Sequence, residues 1–448
     1  MTSWSGLTCS WVKTMRNDNP LGIDNVHRPL FETYPGLKSI PWLPLMDGLP
    51  TPVQRLDAIS SKYPGFDVFV KRDDLTSSIY GGNKPRKFEF LFGDAVAKKK
   101  NAIHTAGGTG TNHGLATALF CKALGLQAKI YVFDQPLTWS VQRKLLMYAG
   151  TGAKLQPVPS YGVLSLKGLG QLLFHPRHYL ILPGGSPLFG IGTVAGCLGF
   201  VNAALELKEQ VDSGTVTEPD VLFVPAGSTG SASGLVLGCK LAGLKTRVIA
   251  IPVSELIVAN TSAITRNARK TLSLMRKHDA SVPRVHVRYP DDFGFQEGYL
   301  GSAYGCVTAP SQAAVDLVAR LEGDKGFHLE TTYTGKACAA MLAFMAREQD
   351  LGGETTNVMF WNTYNSRDLT PLVKESCFEL DALPAKLKRL FDQPLCCWRL
   401  NDCPAEKREV CDAYLAEENR CWMVTSTPSG CEGCETKAEL AEMIKPEP

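Results

Sequence analysis

One lysine in the first quarter of the chain stands where an amine can work as a nucleophile. The segment Lys71-Arg72-Asp73-Asp74 is followed by Gly81-Gly82-Asn83-Lys84-Pro85-Arg86-Lys87. Flexible glycines give way to an amphipathic helix at Lys84, and a lysine amine is the side chain that forms a Schiff base with a carbonyl cofactor. Taken alone, the segment reads first as a surface turn with a solvated basic face. A reaction centre here needs support from elsewhere in the chain. The pair Asp73-Asp74 reads as structural caps or partners for Arg72 rather than as acid–base or metal-binding groups.

Two loops supply that support. Gly227-Ser228-Thr229-Gly230-Ser231 lies between the apolar run Val221-Leu222-Phe223-Val224 and a helix around Leu235-Val236-Leu237. Small residues there let backbone N–H groups and a helix N-terminus approach an anion, with hydroxyls as further donors. The glycine spacing fits neither the P-loop nor the dinucleotide fingerprint, so a single phosphate is the expected guest. The second loop, Gly107 to Gly114, also joins a strand to a helix. In it Asn112 can present an amide and Thr111 a hydroxyl, although either residue also suits a helix N-cap. An amine, a phosphate cradle and a polar amide together describe pyridoxal phosphate: an aldehyde for Lys84, a phosphate for the cradle, a phenolic oxygen for Asn112.

The elements that must position these residues follow from periodicity. Buried strands are expected at Ala102–Ala106, Lys129–Phe133, Val221–Val224, Arg247–Ile251 and Val358–Trp361, with amphipathic helices between them. Such strand–helix–strand units imply an α/β fold of mostly parallel sheets covered by helices. A helix is also expected over Ala313–Leu321 after Pro310-Ser311, with Ala314, Val315, Val318 and Leu321 on its apolar face. His104 falls in a buried strand and reads as a satisfied core histidine.

At 448 residues the chain is long enough for two or three domains. A net charge of +3, with 20% charged and 44% hydrophobic residues, gives no reason to expect nucleic acid or an anionic membrane as partner. No run approaches a membrane span and no signal peptide is visible, so the expected location is cytoplasmic.

The motifs resemble, in order and spacing over residues 45–375, the D-cysteine desulfhydrase and 1-aminocyclopropane-1-carboxylate deaminase family. That family is a branch of the tryptophan-synthase-β-like (fold type II) pyridoxal-phosphate enzymes. The resemblance is carried by Leu49-Pro50-Thr51-Pro52, Val70 to Leu75, Gly81 to Leu91, Thr111-Asn112-His113, the Gly227 loop, Ala303-Tyr304-Gly305 and Tyr333-Thr334-Gly335-Lys336. It implies two three-layer αβα domains, the smaller (about 95–200) inserted in a larger cofactor-binding one within a 46–375 core. An irregular arm (1–45) precedes this core and a small Cys-rich extension (376–448) follows it. It also implies a homodimer acting on a small amino acid.

Position by position, the resemblance makes Lys84 the cofactor lysine and proton-transfer base, and Lys87 a phosphate contact. Asn112 would hold the phenolic oxygen, and Gly227, Ser228, Thr229, Gly230 and Ser231 the phosphate. Tyr304 and Tyr333 would act beside the substrate, with Thr334 facing the pyridine nitrogen. Thr111, Asn112, His113 and Thr363 would line the substrate. Deaminases of the family carry a carboxylate where Thr334 stands and tend to have Leu where Thr363 stands, so both positions favour a desulfhydrase-like reaction. Three departures bear on the substrate: Thr111 for the usual Ser, Cys306-Val307-Thr308-Ala309 after Gly305, and Tyr364-Asn365 in place of a Gly-Gly pair.

Seven of fourteen cysteines fall between Cys396 and Cys434. Cys431 and Cys434 form the only tight pair with metal-ligand spacing, with no histidine nearby. A structural metal (zinc or iron–sulfur) on residues such as Cys403, Cys411, Cys421, Cys431 and Cys434 is one reading; redox-sensitive thiols and disorder are the others.

The expected activity is a pyridoxal-phosphate lyase that removes an α-proton and expels a β-substituent, giving pyruvate, ammonia and, from D-cysteine, sulfide. Cysteate sulfo-lyase and 1-aminocyclopropane-1-carboxylate deaminase are the alternative activities. A non-catalytic sensor that binds the cofactor or an amino acid is the rival from another class.

Overall fold

The computed structural model describes residues 19–24, 27–135, 137, 139–159, 175–188, 191–349, 355–369, 371–372 and 382–391. The Cys-rich segment with Cys403, Cys411, Cys421, Cys431 and Cys434 lies outside the described residues, and with it the expected metal site.

The strands are β1 (Val53–Arg55), β2 (Phe66–Lys71), β3 (Ala102–Gly108), β4 (Gln127–Phe133), β5 (Lys154–Pro157), β6 (His178–Leu180), β7 (Val221–Ala226), β8 (Arg247–Pro252), β9 (Phe293–Phe295) and β10 (Thr356–Trp361). They form two sheets, ordered β1-β2-β10-β7-β8-β9 and β5-β4-β3-β6. Every pairing is parallel except β1 with β2. The four-stranded sheet comes entirely from chain between β2 and β7. The expected α/β class with mostly parallel sheets is what the chain adopts. Parallel strands buried on both faces need near-continuous apolar runs, which β7 and residues Val358–Trp361 of β10 supply.

The longer helices are α1 (Asn83–Ala97), α2 (Asn112–Ala123), α3 (Trp139–Thr151), α4 (Ala195–Asp212), α5 (Gly230–Ala242), α6 (Thr261–His278), α7 (Ala309–Glu322) and α8 (Thr334–Glu348). Helix α7 begins four residues before the expected Ala313. Thr308 and Ser311 close a reciprocal capping box, and Pro310 sits in the first turn, where its missing N–H costs nothing.

Phe88, Leu91 and Phe92 of α1 join Leu115, Leu119 and Phe120 of α2 in one apolar cluster that also takes in Leu383 and Leu387. Residues 382–391 therefore pack on the body, although they lie beyond the change of composition near residue 375. The described end of the N-terminal arm is likewise anchored. Leu30, Phe31 and Leu37 pack with Phe90, Leu198 and Met275, and Arg28 pairs with Glu89 at 2.5 Å in the interior.

The topology puts four segments of interest at the C-terminal ends of parallel strands. Lys84 follows β2, Asn112 follows β3, Gly227 follows β7 and Thr363 follows β10. Ligands of open α/β sheets bind at that edge, where helix N-termini converge.

Candidate active site

The basic stretch before the site is interior, not solvated. Lys71, Arg72, Asp73, Asp74, Arg86 and Lys87 are all at most 3% exposed. The Lys71 Nζ donates to Glu206 Oε1 (2.6 Å), the Thr51 carbonyl (2.7 Å) and Gln210 Oε1 (2.7 Å). Arg86 forks between Asp73 (2.7 and 2.8 Å) and Glu206 (3.0 and 3.1 Å), while the Trp361 indole donates to Asp73 at 2.6 Å. Burial alone would raise the Glu206 carboxyl, but Arg86 and Lys71 hold it well below the usual carboxylate range. Asp74 pairs with Arg72 as expected from sequence; Asp73 pairs with Arg86 instead. This network joins β2, β10, α4 and the first turn of α1, two residues from Lys84.

The loop before Lys84 is fixed through its backbone. Gly82 N donates to the Asp73 carbonyl (2.7 Å), Asn83 N to the Thr363 carbonyl (3.1 Å), and Gly81 N to the Asn365 side chain (2.6 Å). Gly82 has φ +89°, and an added Cβ would lie 2.6 Å from the Thr363 oxygen, so no larger residue fits this turn. The Lys84 amine, partly buried, donates to Asn83 Oδ1 at 2.6 Å. Burial and the charge of Lys87 bring its pKa down to about 7, against the opposing pull of Glu330. A neutral amine, the nucleophilic form, is thus well populated near physiological pH.

Lys87 faces the other loop. Its Nζ donates to the Gly184 carbonyl (2.8 Å) and the Ser186 hydroxyl (3.1 Å), and burial lowers its pKa to about 8. A Cβ added to Gly230 would come within 3.1 Å of that amine and would collide with the Ser186 hydroxyl. Gly230 is the first residue of α5, so a lysine, a hydroxyl and a helix N-terminus meet at one point. Thr229 holds φ +63°, a strained geometry for a β-branched residue, with its hydroxyl accepting from Asn267 at 3.1 Å. Ser228 donates to the Gly184 carbonyl (3.3 Å), and Ser231 accepts from Asn83 (3.2 Å), tying the cradle to the residue beside Lys84. Gly227 lies against the Tyr333 ring, where a Cβ would be 3.3 Å from Cε1.

Among the β3–α2 residues, Thr111 is the N-cap, its hydroxyl accepting from Gly114 N at 3.3 Å. Asn112 Oδ1 is buried with no hydrogen-bond partner among the described residues. His113 is turned inward, packed on Phe88 and bonded to the Thr105 hydroxyl at 2.9 Å; burial, with Lys84 and Lys87, keeps it well below an ordinary imidazole. His104 is also interior, 3.3 Å from the Tyr131 hydroxyl, and burial lowers it to about 4.

The Tyr304 and Tyr333 hydroxyls are 2.7 Å apart, and burial raises Tyr304 to about 12. Thr334 opens α8, fully buried, its hydroxyl accepting from Glu330 N at 2.9 Å. Thr363 is buried beside the Lys84 loop. The next residue, Tyr364, lines a cavity of about 680 Å³ with Tyr80, Asn112, Arg143, Lys144 and Arg367.

Several of these residues escaped sequence reading. Ser186 and Gly184 were signalled only by a Pro-Gly-Gly-Ser turn. Glu330 carries no motif; Glu206, Arg143 and Lys144 lie on helices whose packing partners are distant in sequence.

A partly buried amine at the edge of parallel strands, a small-residue loop with Lys87 at a helix N-terminus, and a buried amide oxygen with no partner among the described residues are what a phosphorylated carbonyl cofactor requires. The residues present fit pyridoxal phosphate. Residues 45–363 match the family described as "Pyridoxal-phosphate dependent enzyme", and the chain belongs to that family. It is similar to a putative 1-aminocyclopropane-1-carboxylate deaminase of Pyrococcus abyssi, 30% identical, covering 75% of this chain and 92% of the relative. It is 32% identical to a D-cysteine desulfhydrase of Yersinia enterocolitica (68% and 88% covered) and 29% to a nocardicin C-9' epimerase of Nocardia uniformis (74% and 94%). Among solved structures, an ACC deaminase homologue superposes with a TM-score of 0.62 at 26% identity, covering 82% of this chain and 100% of that one.

Proposed function

We propose that the protein is a lyase that removes the α-proton of a small amino acid and expels its β-substituent, with D-cysteine as the leading substrate. The observation that carries this reading is Lys84: an amine with its pKa lowered to about 7, beside the small-residue loop and Lys87, and bonded to no carboxylate among the described residues. The cofactor, when bound, supplies the electron sink that acidifies the α-carbon. Lys84, Asn112 and the Gly227–Ser231 loop with Lys87 hold it. Lys84, once displaced, takes the α-proton. The Tyr304–Tyr333 pair holds a proton for the departing sulfur, which leaves with the Cβ–S electron pair as sulfide. The released aminoacrylate takes up water to give pyruvate and ammonia.

At position 334 the chain offers a hydroxyl. The nearby Glu330 carboxylate accepts from the backbone N–H groups of Thr332, Tyr333 and Thr334, so its oxygens are committed to the helix end. That favours loss of a good leaving group over cyclopropane opening, which needs a stronger electron sink. Full-length holoenzyme incubated with D-cysteine should release pyruvate and sulfide in equal amounts. 2-Oxobutanoate from the cyclopropane amino acid would shift the assignment to a deaminase. Inversion of the amino acid without any keto acid would shift it to an epimerase.

A further inference from the structure

The cavity beside the site has more room and more positive charge than cysteine needs. Its volume, about 680 Å³, is that of a pocket for a sizeable small molecule. Its walls carry Arg143 and Lys144 on α3 and Arg367 after β10, against one carboxylate, Asp368. Tyr364 belongs both to this wall and to the surroundings of the loop before Lys84, its carbonyl 3.2 Å from where a Cβ on Gly82 would lie, so the cavity adjoins that loop.

One of the three sequence departures builds this wall. Tyr364 and Asn365 stand where the family resemblance expects a Gly-Gly pair, and both line the cavity. Asn365 fastens its loop to Gly81 at 2.6 Å, and Arg367 Nε donates to the Ser77 carbonyl at 3.3 Å, which fixes the loop that carries the Arg367 cation. Arg143 acts on the Tyr364 hydroxyl: burial and Glu330 push it up to about 12 while Arg143 pulls it down. The Lys144 amine has no hydrogen bond or ion pair among the described residues. Burial disfavours its charged form, and Glu330, the one group that favours it, is already saturated by backbone donors. A partly buried cation without a bonded partner among the described residues gains from an incoming anion.

We propose that the substrate is an α-amino acid whose β-substituent ends in an oxyanion, a sulfonate, phosphate or carboxylate, and that Arg143, Lys144 and Arg367 bind that group. This rests on the lyase reading and, within it, ranks an anion-terminated substrate above D-cysteine. Elimination then breaks the Cα–H and Cβ–substituent bonds, the proton passing to Lys84 and the electron pair leaving with the substituent as sulfite, phosphate or a carboxylate-bearing thiolate.

The test compares D- and L-cysteine, D- and L-cysteate, the O-phosphoserines and S-carboxymethylcysteine as substrates of the full-length holoenzyme, following pyruvate. At least one anion-terminated compound should exceed D-cysteine about tenfold in kcat/KM. Lys144→Met should cut that preference about tenfold, chiefly through KM, and Lys144→Arg should restore most of it. Wild-type enzyme that favours D-cysteine overturns the proposal and leaves the lyase reading intact, whether or not Lys144→Met folds. A Lys144→Met enzyme with unchanged preference overturns it as well. No keto acid from any of these compounds overturns both.

Discussion

The Glu330 carboxylate lies 3.4 Å from the hydroxyl of Thr334, four residues further along the chain. The position where the resemblance expects a carboxylate in deaminases thus has one beside it, delivered from the preceding turn and bound to three backbone N–H groups. Glu330 also favours the charged form of Lys84. Glu330→Gln should therefore weaken the start of α8 by about 1–2 kcal/mol and lower the Lys84 pKa further. Thermal unfolding reads the first effect. An unchanged melting temperature would show that the cap is dispensable.

The lowered pKa of Lys84 has a definite sign. The neutral amine reacts, so in cofactor-free protein its modification by a small acylating reagent should rise with pH and reach half its maximum near 7. Lys87 contributes by repulsion, so Lys87→Met should move that midpoint upward. Peptide mapping of modified Lys84 across pH gives the curve; a midpoint near 10 would contradict the buried, cation-flanked environment.

Gly230→Ala places a methyl group against the Ser186 hydroxyl and the Lys87 amine. The cradle would have to open at the point where the phosphate is proposed to bind. Affinity for pyridoxal phosphate, followed by visible absorbance, should fall at least about tenfold with the fold retained. Lys84→Ala should remove the absorbance band of the covalently held cofactor altogether.

Arg86→Met removes the cation shared by Asp73 and Glu206. Two carboxylates would be left buried without it, a loss of about 3–5 kcal/mol in denaturant unfolding. Glu206 sets the pH arm: its folded pKa is depressed, so its contribution is present above the unfolded value and lost as pH falls toward the folded one. Wild-type stability should accordingly decline below about pH 4.5, and the variant should show less of that decline.

Much of the site was legible because its parts are local. Gly81–Lys87, Gly107–Gly114 and Gly227–Gly234 each open a helix, and each displays its turn residues in contiguous sequence. The basic stretch is interior, not solvated, because carboxylate and amide partners more than a hundred residues away complete it: Glu206 and Gln210 on α4 turn a run of charge into an interior network. His113 follows Asn112 in the same helix turn, yet its ring enters the core against Phe88, since neighbouring helical side chains diverge by about 100°.

The sequence by itself determined the α/β alternation and the lysine, since both are written in local period and turn chemistry. Only the tertiary structure decided the electrostatics of the site. The pKa of Lys84 depends on burial and on Glu330, the interior network on Glu206 of α4, and the charge of the cavity on α3 meeting the loop after β10. Each of these is a distance between segments far apart in the chain, and Coulomb energies and desolvation follow distance and burial, not sequence order.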